Sequence, residues 1–287
     1  MLEPTVWLEA LTQNAWDTGA GWGLFLTYAT YMKKEQGVVK NAFFTGIGNN
    51  LISLLAGLII FGTVFSILGE EMMMSREEIL TILRSGGPAS TGLTLIWLPQ
   101  LFSRMILGTP LLILFFLGLA LAGFSSLIAM LELQTRVLMD SGLSRSPSVI
   151  LVGVASYLFG IPSALSLSFF ANQDFVWGLA LIISGAFVSF AVAQHGCSKV
   201  RRQQLLSLPN DFYLAEWWDF TMKYVVPLTA SVLLGWWLFL ALTVYEPAEW
   251  YNPFLPHSVM TCLLQWGAVL FVLWILNQNL VKRLIKQ

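Results

Sequence analysis

Asp17 places a carboxylate inside an apolar stretch running from Val6 to Tyr31, and Gly19, Gly21 and Gly23 follow it at alternate positions in QNAWDTGAGWG. At the centre of a lipid-embedded helix, a carboxylate costs on the order of 2.5 to 3.5 kcal/mol to insert. Each glycine weakens a helix by about 1 kcal/mol relative to alanine. Together these residues predict a helix that unwinds at one point. Such a break leaves carbonyls at the end of one half-helix, which attract cations, and N–H groups at the start of the next, which attract anions. Asp17 fits best beside a cation. The alternative is a glycine-lined packing face with a structurally paired Asp17.

Two further constellations could share that chemistry. Asn49 and Ser53 in NNLIS are four apart and fall on one helix face. Ala122, Ser125 and Ser126 in LAGFSS have the i, i+3, i+4 spacing that groups one carbonyl with two hydroxyls. Hard oxygen ligands without a carboxylate suit a monovalent cation better than a divalent one. The alternative is that each serine bonds the carbonyl one turn back.

The elements that must position these groups are membrane helices. The 287 residues are 56% hydrophobic and 11% charged, with a mean hydropathy of +0.72, far from the roughly 25% charged content of a soluble domain. Several runs reach the roughly 20 apolar residues needed to cross a bilayer, and none alternates with a two-residue period. The expected fold is all-α and polytopic, with seven spans: Val6 to Met32, Val38 to Leu68, Ile106 to Met139, Ser148 to Phe170, Phe175 to Gln194, Tyr224 to Tyr245 and Val259 to Leu280. Residues 70–104 read as an external hairpin. In it, Ser75 and Glu78 form a capping box, and Gly86, Gly87 and Pro88 break the helix.

Of the 15 Lys and Arg residues, twelve (Lys33, Lys34, Lys40, Arg136, Arg145, Lys199, Arg201, Arg202, Lys223, Lys282, Arg283, Lys286) fall on one side of these spans and three (Arg76, Arg84, Arg104) on the other. The positive-inside rule then places the N-terminus outside and the C-terminus in the cytoplasm. Near-neutral net charge without a basic aromatic stripe argues against nucleic acid. Cys197 and Cys262 make no ligand or redox pattern, and His195 and His257 have no evident nucleophile or metal-ligand partner nearby. No enzyme chemistry and no cofactor is expected.

The stretch WLEALTQNAWDTGAGWGLFLTYATY resembles the sixth transmembrane helix of the neurotransmitter:sodium symporters, with the break in the same place. NNLISLLAG resembles their seventh helix, LALAGFSSLIAM their eighth and QDFVWG the start of their tenth. The resemblance implies the second half of a bacterial leucine transporter-like fold. Residues 1–199 would be the second five-helix repeat, and 200–287 two peripheral helices, the eleventh and twelfth.

Carried over by position, the resemblance implies that Asp17 and Asn49 complete a first sodium site and that Ala122, Ser125 and Ser126 supply a second. Trp16, Asp17, Gly19, Trp22, Ser126 and Met130 would contact substrate, an amino acid or related amine. Gln13 and Asp174 match the external gate; Thr30, Tyr31, Glu132 and Asp140 match the internal one. Ser53 stands where many chloride-independent members carry a carboxylate. Asp17, near Gln13 and Ser53, is expected to substitute for chloride by placing fixed negative charge beside bound sodium. Gly19 replaces a serine hydroxyl of many members, which leaves side-chain selectivity open.

The same resemblance finds no counterpart of the family's first five helices. The expectation is a truncated or misannotated chain, or one complemented by a separate N-terminal half or a full-length protomer, and poorly stable as a monomer. The leading function is sodium-coupled symport across the cell membrane. The alternative is a non-transporting binding or regulatory subunit with the same half-fold.

Overall fold

The computed structural model describes residues 4–19, 21–33, 35–71, 73–84, 94–95, 98–206 and 211–285. Its helices are α1 (Pro4–Asp17), α2 (Leu24–Tyr31), α3 (Val38–Ser66), α4 (Arg76–Arg84), α5 (Leu98–Phe102), α6 (Gly108–Asp140), α7 (Arg145–Leu165), α8 (Leu167–His195), α9 (Cys197–Val200), α10 (Trp217–Phe220), α11 (Val226–Leu240) and α12 (Val259–Ile285). Among the described residues, six helical stretches are long and apolar enough to cross a bilayer: Val38–Gly69, Gly108–Asp140, Arg145–Leu165, Leu167–His195, Trp217–Tyr245 and Val259–Asn277. The seventh expected span is the pair α1 and α2, interrupted between Asp17 and Leu24. Neither piece crosses a bilayer alone.

The junction between the fourth and fifth spans differs from the sequence reading. The polar residues Asn172 to Asp174 were expected between spans, but they lie within α8, and the chain turns at Ser166. Pro162 supplies no N–H to its own helix. Ser166 is extended (φ −138°, ψ 115°), and its Oγ accepts the Phe169 N–H. A side-chain cap thus starts α8 one turn after the proline.

The chain divides into two compact units, residues 50–130 and residues 1–49 with 131–287. In the first, Val64, Ile67 and Leu68 bury against Ile79, Leu98 and Leu101, with Phe102 and Phe115 in ring contact at 5.6 Å. The capping box forms as expected. Glu78 Oε2 accepts from Ser75 N and Oγ, both at 2.8 Å, and Ser75 Oγ accepts Glu78 N. These bonds hold the Glu78 carboxyl below its ordinary range. Gly86, Gly87 and Pro88 lie outside the described residues.

In the second unit, α8 packs against α7, α11 and α12. Val176 and Leu179 bury against Cys262, Leu234, Trp237 and Trp266. Polar side chains lock α8 to α12: Asn172 Nδ2 donates to Thr261 Oγ1 at 3.1 Å, Gln265 Nε2 to Asn172 Oδ1 at 2.8 Å, and Trp266 Nε1 to the Val176 carbonyl at 3.0 Å. A remote carboxylate starts α3. Asp211 Oδ2 accepts Val39 N at 2.9 Å and Oδ1 accepts Lys40 N at 2.7 Å, satisfying first-turn donors that have no partner within the helix. Burial pushes the Asp211 carboxyl up, but the N–H groups of Lys40, Val39, Phe212 and Val38 outweigh it and hold the group below its ordinary value. Phe212 rests against Phe43 and Phe44, each at 5.7 Å. Gly37 permits the approach, since a Cβ there would stand 2.5 Å from Asp211 Oδ1.

Candidate functional site

The break is a consequence of its glycines. Gly19, Gly21 and Gly23 have φ of 71°, 80° and 77°, in the left-handed region that L side chains rarely adopt. α1 ends at Asp17, and short turns follow: Gly19 N bonds the Trp16 carbonyl at 3.1 Å and Trp22 N the Gly19 carbonyl at 3.1 Å. Gly23 stands at the N-cap of α2 without a side-chain cap. A backbone that leaves the helical path inside an apolar layer must find partners elsewhere. Here α8 provides one, because Ser184 Oγ donates to the Gly21 carbonyl at 2.8 Å.

Aromatic rings flank the break. Trp16 and Trp22 meet edge to face at 5.1 Å, and Trp16 lies 3.4 Å from where a Cβ on Gly178 would sit. The Trp22 indole N–H is buried without a hydrogen-bond partner, as is Asn49 Nδ2 on α3. An amide at this position can turn over without changing shape. It would then present Oδ1, an oxygen suited to a hard cation, in place of the orphaned donor.

The remaining residues are distributed over both units. Ala122, Ser125 and Ser126 are exposed on α6 and Met130 is half-buried there; Ser53 is half-buried on α3. These belong to the unit 50–130, while Gln13, Trp16, Asp17, Gly19, Trp22 and Asn49 belong to the other. Gln13 is exposed on α1, and Asp174 is exposed within α8 rather than on a loop.

Of the four residues matched to an internal gate, the structure joins two. Tyr31 Oη donates to Glu132 Oε1 at 2.7 Å. Thr30 Oγ1 instead donates to the Thr27 carbonyl of its own helix at 2.8 Å, and Asp140 is the exposed last residue of α6. Sequence reasoning missed Arg145, whose Nη1 and Nη2 donate to the two Glu132 oxygens, each at 2.8 Å. It also missed Arg136, whose Nε donates to Glu132 Oε1 at 3.2 Å and whose guanidinium lies 5.5 Å from the centre of the Tyr31 ring. The four-residue spacing from Glu132 to Arg136 was a readable signal; nothing local pointed to Arg145. Ser184 was missed as well.

Comparison with known proteins supplies the family. An uncharacterised sodium-dependent transporter of Methanocaldococcus jannaschii is 28% identical over 80% of this chain and 46% of its own length. Sodium-dependent nutrient amino acid transporter 1 of Drosophila erecta is 28% identical over 67% of this chain and 29% of its own. An uncharacterised sodium-dependent transporter of Haemophilus influenzae is 24% identical over 81% of this chain and 50% of its own. The chain therefore spans half the length or less of each of these relatives. A family model described as the sodium:neurotransmitter symporter family matches residues 1–284. Matched over nearly its whole length, this all-α, polytopic membrane protein belongs to the sodium:neurotransmitter symporter family.

Proposed function

We propose that this chain forms the ion- and substrate-binding part of a sodium-coupled symporter for an amino acid or related amine. The observation that carries the reading is the break after Asp17, where three left-handed glycines interrupt an apolar helix beside a carboxylate. In this reading Asp17 and Asn49 hold one sodium ion, and Ala122, Ser125 and Ser126 a second. By the family resemblance, Trp16, Asp17, Gly19, Trp22, Ser126 and Met130 contact substrate. Gln13 and Asp174 form the external gate and Thr30, Tyr31, Glu132 and Asp140 the internal one. Residues 1–199 act as one five-helix repeat, with 200–287 peripheral to it. The N-terminus lies outside and the C-terminus in the cytoplasm, as the distribution of Lys and Arg favours.

Amino acids are the favoured substrate class because a relative similar to this chain is named a nutrient amino acid transporter. Alternating access in inverted-repeat transporters needs one repeat to move against another. A partner supplying a first repeat, from a separate half or a full-length protomer, is therefore part of the proposal. Two sets of proteoliposomes provide the test, one with this chain alone and one with a co-expressed five-helix N-terminal half of a relative. Uptake of labelled amino acids is expected in the second set when a sodium gradient is imposed, and it disappears when choline replaces sodium. Equal uptake without a sodium gradient, or none in either set, would count against symport.

A further inference from the structure

Hydroxyls within these helices commonly turn back on their own chain. Thr63 donates to the Ile59 carbonyl, Thr135 to Leu131, Ser148 to Ser144 and Ser231 to Pro227, each at 2.8 Å and one turn back. Such bonds are the default for serine and threonine inside helices. Ser184 departs from it. Its Oγ leaves α8 and donates to the Gly21 carbonyl, 163 positions away.

The surrounding contacts show why the bond sits where it does. A Cβ on Gly21 would fall 2.2 Å from the Leu181 carbonyl oxygen and 3.0 Å from Gly185 N, so the break touches α8 backbone to backbone. One and a half turns earlier on α8, Gly178 seats the Trp16 ring. Gly178 and Ser184 are six residues apart, about 9 Å along a helix. Asp17 and Gly19 lie between the two anchored points, Trp16 and Gly21.

We propose that Ser184 is a positioning residue, whose hydroxyl holds the peptide groups between Trp16 and Gly21 in the orientation that receives the coupling ion. The proposal rests on the reading of the break as an ion site. Without the hydroxyl the Gly21 carbonyl has lost its donor from α8 in an apolar layer, and the turn becomes free to rotate. Ion affinity then falls because the site must be ordered before it can bind.

Hydrogen exchange of the peptide covering residues 16–24 tests this on the purified chain in lipid nanodiscs, in sodium chloride and in choline chloride. Ser184→Ala is expected to speed exchange there about threefold to tenfold, the range for one net hydrogen bond. It should also raise by a similar factor the sodium concentration that protects the peptide. Ser184→Thr, which keeps the hydroxyl, restores both readings, and Ser231→Ala changes neither. Should the alanine variant lose helicity, Ser184→Cys preserves the volume with a weaker donor and carries the comparison. Exchange in the folded Ala or Cys variant equal to that of the unaltered chain would overturn the tie. Faster exchange in the variant, with no sodium protection even in the unaltered chain, would overturn the ion-site reading and reduce Ser184 to a contact of the fold.

Discussion

The Tyr31 phenol and the Glu132 carboxylate meet at 2.7 Å across 101 positions of sequence. The same carboxylate receives both terminal nitrogens of Arg145 and the Nε of Arg136. One acidic side chain thus joins α2, the end of α6 and the start of α7. Its side chain is 13% exposed, while those of Arg136 and Arg145 are 34% and 52% exposed, so water screens much of the Coulomb attraction.

That arrangement predicts an order of effects. Tyr31→Phe removes one donor and is expected to cost about 1 kcal/mol. Glu132→Gln removes the acceptor charge shared by four donor groups on three residues and is expected to cost more, with a larger fall in the melting temperature of the purified protein. Equal or inverted effects would show that the carboxylate is not the hub.

The glycines of the break should differ sharply in tolerance. Gly19→Ala meets open space, so only the left-handed backbone opposes it, at about 1 to 2 kcal/mol. Gly21→Ala adds a collision with the Leu181 carbonyl, which is backbone and cannot swing aside. Thermal unfolding should place Gly21→Ala well below both Gly19→Ala and Gly23→Ala, since a Cβ on Gly23 would meet the Leu133 side chain at 3.4 Å, an ordinary contact.

The Asp211 tie to α3 should be sensitive to acid. Its folded value lies below the ordinary 3.8 because the N–H groups favour the charged carboxylate. The tie therefore contributes its full stability above about pH 4, the ordinary carboxylate range, and loses it as the pH falls through the lowered folded value. Asp211→Ala is expected to cost about 1 kcal/mol at neutral pH, as loss of a helix cap does. Amide exchange at Val39 and Lys40 measures both effects. Protection that is unchanged in the alanine variant would remove Asp211 from this role.

Asp17 carries the proposed replacement of chloride. A complete transporter built with this chain should take up substrate at the same rate when gluconate replaces chloride. Asp17→Thr should lose at least tenfold in rate in gluconate and recover in chloride, since a mobile anion then supplies the missing charge. Chloride dependence of the unaltered protein would falsify the proposal.

Much of this architecture was legible in the sequence because its signals are local. Apolar runs of bilayer length announced the spans, three glycines after an acid announced the break, and Ser75 with Glu78 announced a capping box that forms between groups three residues apart. Spacing also placed Asn49 with Ser53, and Ala122 with Ser125 and Ser126, on common helix faces, since helical period alone decides that. What only the tertiary structure decided depends on partners far along the chain. The boundary at Ser166 follows from a cap that polar residues further on obscured. Arg145 on Glu132, Asp211 on the start of α3 and Ser184 on Gly21 join positions 13, 171 and 163 apart. A side chain's own sequence neighbours set its helix and its face, but the group that satisfies it is set by whichever helix packs against that face.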